Sequence, residues 1–184
     1  MAGDEELPEG LVYVDAFVSQ DEERSLLSLL DAMDFRAVTM RGQTARRTVR
    51  HFGLDYAYES GELVPTDPLP DEMAWLRERC AALVERDPDE LVQVLVSRYP
   101  EGAGIGWHRD APMFGSKIAG VSLGASCRMR FQRTVQGERS VAALELAPRS
   151  AYVLSGKARW SWQHSIPPTK QLRYSVTFRT LRRR

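Results

Sequence analysis

The sequence predicts a mainly β domain with two helices placed ahead of its strands. Two observations carry this. From residue 91 onward, seven short apolar or alternating stretches follow one another, separated by Gly, Pro or Ser. Before them, only two segments show helical periodicity. Many short strands in series indicate a sandwich, barrel or jelly roll. At 184 residues the chain reads as one domain, 1–184, with helices and irregular structure to about 90 and a β core over 91–184.

Taken in order, "LVYVDAFVS" reads as a strand leading to a helix start. Ser19 and Glu22 have the spacing of a capping box, and "DEERSLLSLLDAM" continues with helical period. Residues 35–70 have no helical period and are rich in Arg, aromatics and turn formers, as short strands and loops are. "DEMAWLRERCAALVER" is the second helix: Met73, Leu76, Cys80, Leu83 and Val84 share a face, and Pro88 is expected to stop it. The strands that follow are "LVQVLVSRY", "KIAGVSLG", "CRMRFQR", "SVAALELA", "SAYVLSG", "RWSWQHSI" and "LRYSVTFRTL".

Composition excludes several classes. No run approaches 18 apolar residues, so no membrane partner is expected. The acidic start "MAGDEELPEG" has no apolar core of a secretory signal. Cys80 and Cys127 match no metal or redox spacing, and reduced thiols in a cytoplasmic protein are the expectation. The zero net charge hides segregation. Residues 1–35 hold ten acids and one base, 36–54 five arginines and no acid, 55–91 eleven acids and three bases, and 92–184 four acids and sixteen bases. Such a distribution suits a phosphate-bearing partner or, more plainly, acidic helices covering a basic barrel.

The chemistry centres on "GWHRDAPMFG". Its His-Arg-Asp is not a kinase loop, because no Asn follows at the required spacing and no D-F-G is present. On a strand, residues i and i+2 point to one side, so His108 and Asp110 can project two ligands into one space. His164 lies 54 residues beyond Asp110 in "WSWQHSI". Two imidazoles and one carboxylate make the facial triad of non-haem Fe(II) oxygenases. In "LRYSVTFRTL", Arg173, Ser175, Thr177 and Arg179 share one face, while Tyr174, Val176 and Phe178 share the other. Two arginines opposite an apolar face suggest a pocket wall for a dicarboxylate such as 2-oxoglutarate.

The blocks "SRYPEGAGIGWHRDAPMFGSKIAGVSLG", "RMRFQR", "LELAPRSAYVLSGKARWSWQHSI" and "RYSVTFR" resemble the AlkB family of Fe(II)/2-oxoglutarate dioxygenases, over about residues 45–181. The resemblance implies a double-stranded β-helix, a jelly roll of cupin type, with N-terminal helices and a nucleotide-recognition lid. It implies Fe(II) held by His108, Asp110 and His164, with 2-oxoglutarate and O2 as co-substrates. Arg173, helped by Tyr99, matches the clamp on the distal carboxylate, and Arg179 the arginine at the keto-acid end. Two positions depart from the family pattern: Ser97 and Ser175 stand where asparagines are usual. Gly156, Arg159 and Trp162 also match, Arg159 as a brace. The lid falls on "RGQTARRTVRHFGLDYAYES", where Arg46, Arg47 and Arg50 suit phosphates, Phe52, Tyr56 or Tyr58 a stacked base, and His51 a base or phosphate. The implied activity is oxidative demethylation of N-alkylated bases in DNA or RNA, by a protein expected to be a monomer. Hydroxylation of the tRNA wobble uridine, as in some family members, and a non-catalytic nucleic-acid-binding module are the alternatives.

Overall fold

The computed structural model describes residues 6–40, 42–57 and 60–182. The chain opens with β1 (Leu11–Val14), α1 (Gln20–Asp31), β2 (Arg36–Met40) and β3 (Gln43–Phe52), followed by the short pair β4 (Leu54–Tyr56) and β5 (Leu63–Pro65). After α2 (Ala74–Val84) come β6 (Gln93–Tyr99), β7 (Ile105–His108), β8 (Phe114–Leu123), β9 (Cys127–Val135), β10 (Glu138–Leu146) and β11 (Ser150–Leu154). A single helical turn, α3 (Gly156–Trp160), precedes β12 (Gln163–Ile166) and β13 (Arg173–Leu181).

From β6 onward the strands divide between two sheets. The larger runs β1-β11-β8-β13-β6-β3-β2 and the smaller β10-β9-β12-β7. Thus β6, β8, β11 and β13 lie in one sheet while β7, β9, β10 and β12 lie in the other. This winding makes the double-stranded β-helix expected from the sequence, and the pairs it forms are antiparallel.

Period two decides what faces what. In β13, Tyr174, Val176 and Phe178 join a core with Val94, Val96 and Val121, beneath the helices. Their neighbours Arg173, Ser175, Thr177 and Arg179 turn into the space between the sheets. A second core, with Met129, Phe131, Tyr152, Trp162 and Ile166, fills the rest of that space.

Two helices cover the outer face of the large sheet. Ser19 and Glu22 form the reciprocal cap that the sequence signals, with Glu22 N–H donating to Ser19 Oγ at 3.1 Å and Ser19 N–H to Glu22 Oε2 at 2.8 Å. The same carboxylate is forked by Arg79 of α2 at 2.8 Å on each oxygen. That hydrogen-bonded pair, with the Ser19 amide, pulls the Glu22 carboxyl down to about 2. Leu26 and Leu30 of α1 and Leu76, Cys80 and Val84 of α2 are fully buried. Each such leucine contributes about 1.5–3 kcal/mol by leaving water.

Two expectations need correction. The second helix ends before Pro88, because Glu85 takes a left-handed conformation (φ 56°) and closes it. Pro88 instead begins a short 3-10 turn. The stretch "RWSWQHSI" is only half strand: α3 takes residues up to Trp160, and extended structure starts at Gln163. Trp160 and Trp162 alternate in the sequence, which imitates a strand, but their environments differ. Trp162 is buried and Trp160 is exposed.

Candidate active site

The site lies between the two sheets, at the end of β7. The strand stops at His108, so Asp110 reaches the site from the loop just beyond rather than from the strand. His108 and His164 are cross-strand partners on β7 and β12, with ring centroids 4.3 Å apart. His164 Nε2 lies 3.5 Å from Asp110 Oδ1. One ligand atom from each of His108, Asp110 and His164 falls within 4.8 Å of the others.

The surroundings fix which atoms are offered. His108 Nδ1 is 2.8 Å from the Gly106 carbonyl, which can only accept, so Nδ1 carries the proton and Nε2 presents its lone pair. Arg179 takes Oδ2 of Asp110 with Nε at 2.7 Å and Nη2 at 2.5 Å, which leaves Oδ1 on the side of His164. Burial pushes His164 down to about 3, aided by the neighbouring His108, and burial lowers His108 as well. Burial would raise Asp110, but the Arg179 guanidinium, then His164, His108 and Arg159, hold its carboxyl well below the usual range. Although His164 and Asp110 lie within ion-pair distance, the imidazole is therefore neutral. Two neutral nitrogens and one carboxylate oxygen are a donor set for a divalent transition metal with positions left open.

Arg159 holds the loop that carries Asp110. Its guanidinium donates to the carbonyls of Asp110 (3.0 Å), Ala111 (2.8 Å), Phe114 (3.3 Å) and Gly115 (3.2 Å). It touches no ligand atom, so its role is the bracing one expected from its place in the sequence.

The pocket beside the triad is walled by β13 and β6. Arg173 is buried, with Nε donating to Ser122 Oγ at 2.9 Å and the guanidinium over the Tyr99 ring at 5.1 Å. Ser97 and Ser175 are paired on adjacent strands and both line the cavity. Gln93 joins the wall: Arg179 Nη1 donates to its Oε1 at 3.0 Å, and its Nε2 is 3.1 Å from His51 Nδ1. Tyr152 supplies the floor. Its ring lies so close to Gly120, its cross-strand partner, that a Cβ there would collide with it. Sequence reasoning missed Gln93, Tyr152 and Ser122. Their strands are buried on both faces, so hydrophobic alternation says nothing about which side holds the pocket.

In front of the triad opens a wider mouth of about 650 Å³, walled by Gln43, Thr44 and Ala45 of β3, Tyr56, and Trp107 and Arg109 beside the metal ligands. Tyr56 sits here, its ring edge-on to Phe114 at 6.0 Å. The other lid residues do not gather as expected. Phe52 is core, packed on the helix side of the sheet and unable to meet a base. His51 is buried against Gln93, where burial pushes its imidazole down to about 4. Arg46 faces outward, and Arg50 pairs with Asp67 at 2.5 Å while lying over Phe52. Arg47 alone of the three turns inward. The cause is strand geometry, since neighbours on β3 alternate sides. Arg50 and Arg36 find their partners in Asp67 and Asp55, not in the acidic helices. Tyr58 lies outside the described residues.

With this geometry established, the likenesses to known proteins are decisive. A family model described as 2OG-Fe(II) oxygenase superfamily matches residues 10–179. The chain belongs to that superfamily. Iron(II) is the metal that the His108, Asp110 and His164 donors of this oxygenase fit, and 2-oxoglutarate and O2 are its co-substrates. Among curated relatives, the Xenopus tropicalis protein named tRNA (carboxymethyluridine(34)-5-O)-methyltransferase alkbh8 is 32% identical over 172 residues, which are 89% of this chain and 26% of that protein. The Arabidopsis thaliana protein named Alkylated DNA repair protein ALKBH8 homolog is 31% identical over 184 residues, 88% of this chain and 51% of that one. The oxygenase thus spans about a quarter of the first relative and half of the second. The solved structure of OsALKBH1 superposes with a TM-score of 0.72 at 16% identity, covering 95% of this chain and 98% of that one, a likeness of fold. Within that superfamily, these curated relatives carry ALKBH names.

Proposed function

We propose that this AlkB-like dioxygenase oxidises alkyl groups on the bases of RNA or DNA, and that N-methyl groups are its main target. The observation that carries the reading is the mouth. It opens directly onto the metal ligands, is roomy enough for an extruded base, and is walled by Tyr56 and Trp107 with Arg109 beside them. Aromatic faces stack on bases, and a base must leave its stack to reach a buried centre. The printed names of the relatives, one a tRNA-modifying protein and one an alkylated-DNA repair protein, support a nucleic-acid substrate.

When bound, the iron supplies the oxidation: 2-oxoglutarate and O2 become succinate and CO2, with one oxygen atom inserted into a C–H bond of the target. The chain's own residues position and protect. His108, Asp110 and His164 would hold the metal. Arg179 keeps Asp110 ionised and turned the right way, and Arg173 receives the far carboxylate of the co-substrate. The buried wall of Ser97, Ser175 and Thr177 excludes water. A hydroxymethyl group on nitrogen then collapses to formaldehyde and the free N–H. Hydroxylation of a uridine side chain in tRNA is the second reading, favoured by the name of the Xenopus relative.

The experiment is mass spectrometry of methylated and etheno-modified oligonucleotides, as DNA and RNA, after incubation with Fe(II) and 2-oxoglutarate. Formaldehyde with a restored base is the expected result. A stable hydroxylated base would establish the second reading, and succinate formation untouched by any oligonucleotide would exclude both.

A further inference from the structure

Three guanidiniums face the inner pocket. Arg179 is taken up by Asp110 and Gln93. Arg173 rests on Tyr99 and Ser122. The third, Arg47, arrives from β3. Thr48 pairs with Arg98, so position 47 stands beside Tyr99, and the other neighbour of Tyr99 is Arg173. Arg47, Tyr99 and Arg173 therefore form one row across three strands.

The next row explains how the two outer arginines are held. Ser97, Ser175 and Ser122 are cross-strand partners on β6, β13 and β8. Arg47 Nη1 donates to Ser97 Oγ at 3.1 Å, and Arg173 Nε donates to Ser122 Oγ at 2.9 Å. Each guanidinium is thus anchored at one end of the same line of hydroxyls, and the small serines leave room between them. Arg47 is only 5% exposed, and its Nε is buried with no hydrogen-bond partner.

This arrangement lacks an anion. Among the described residues lining the cavity, Asp110 is the one carboxylate, and Arg179 already holds it. A buried guanidinium without a counter-charge is costly, and a carboxylate accepting from both arginines would relieve each. The geometry points to Arg47 as the second half of the clamp on the distal carboxylate of 2-oxoglutarate, opposite Arg173. It is a co-substrate ligand rather than a phosphate contact. Ser97 and Ser175 then have a physical role: they are short enough for a guanidinium from the neighbouring strand to lie over them.

The carboxylate that Arg47 meets could belong to the co-substrate or to the target, and binding separates the two sources. The probes are 2-oxoglutarate and 2-oxopentanoate, which has a methyl in place of the distal carboxylate. Both are titrated without nucleic acid against manganese(II)-loaded protein, so that no turnover occurs. Arg47→Met is expected to weaken 2-oxoglutarate at least about tenfold, as loss of a hydrogen bond to a charged group does, and to leave 2-oxopentanoate within about twofold. Arg47→Lys should recover part of the loss. Arg46→Ala, its outward-facing neighbour, should bind both acids as the wild type does. Equal weakening of the two acids in Arg47→Met would overturn the proposal in favour of a structural role. Unchanged 2-oxoglutarate affinity in Arg47→Met, with a clear loss in Arg173→Met, would overturn it in favour of an anionic group on the target.

Discussion

β13 and β3 flank β6 in the large sheet and both line the pocket, yet they are held in place differently. β13 is paired on both sides, with β6 and β8, and eight of its nine residues are buried. Its arginines end on Ser122, Gln93 and Asp110, all inside. β3 lies between β6 and the edge strand β2, and its first four residues are exposed. Only its second half, from Arg47 on, is drawn into the protein. The arginines beside the metal ligands are thus carried by a strand paired on both sides, while the exposed start of β3 borders the wider mouth. The same division separates what can be changed cheaply from what cannot.

The largest effect should come from the rigid side. His108→Ala or Asp110→Ala should reduce iron-dependent succinate formation to background while circular dichroism stays that of the wild type. His164→Ala should do the same. Arg173→Met comes next. Removing one charged partner of a buried carboxylate costs about 3–5 kcal/mol, so the affinity for 2-oxoglutarate should fall at least about a hundredfold in a direct titration. Arg159→Met leaves every ligand atom in place but frees the carbonyls of the Asp110 loop. We expect roughly a tenfold to hundredfold loss of metal affinity or turnover, the range seen when a supporting partner of a metal ligand is removed.

Acidification tests the buried imidazoles without any substitution. His51 and His164 have folded values of about 4 and about 3, below the usual 6.5, and His108 is lowered too. Between those values and 6.5 the unfolded chain binds more protons than the folded one, so stability rises with pH in that window. The metal-free protein should therefore lose stability as pH falls from 7 toward 4. His51→Gln should flatten this dependence by an amount on the order of 1–2 kcal/mol, read from denaturant titrations at pH 7 and 5. The smallest effect belongs to the outer face of β3. Arg46→Ala and Arg50→Ala should each change the slope of log affinity for single strands against log salt by no more than about 0.7, with no change in succinate formation without a target. A larger change would show that the outer face of β3 tracks the backbone after all.

The sequence made the rigid wall legible because chemistry and period coincide there. In residues 173–179 polar and apolar side chains alternate without a break, whereas the two-residue spacing of His108 and Asp110 found the right pair although Asp110 lies in the loop after β7. The capping box of α1 was equally plain. The lid was harder for a physical reason. In "ARRTVRHF" arginines occupy both parities of a strand, and a shift of one residue exchanges the faces. Val49 held the clue, since it shares its parity with Arg47 and His51 and is itself buried. Phe52 obscured it by being buried on the opposite face. Partners such as Gln93 and Asp67 are distant in the chain and carry no local signal.

Gly120 has a consequence for the shape of the pocket. Its missing side chain lets the phenol of Tyr152 lie against the backbone of β8, below the arginines. The two residues together shape that part of the pocket, set not by what the strand projects but by what it withholds. A methyl group at 120 would collide with the ring and force it from its place in the cavity lining. The position of a pocket-lining phenol is therefore set by a single absent carbon on the neighbouring strand.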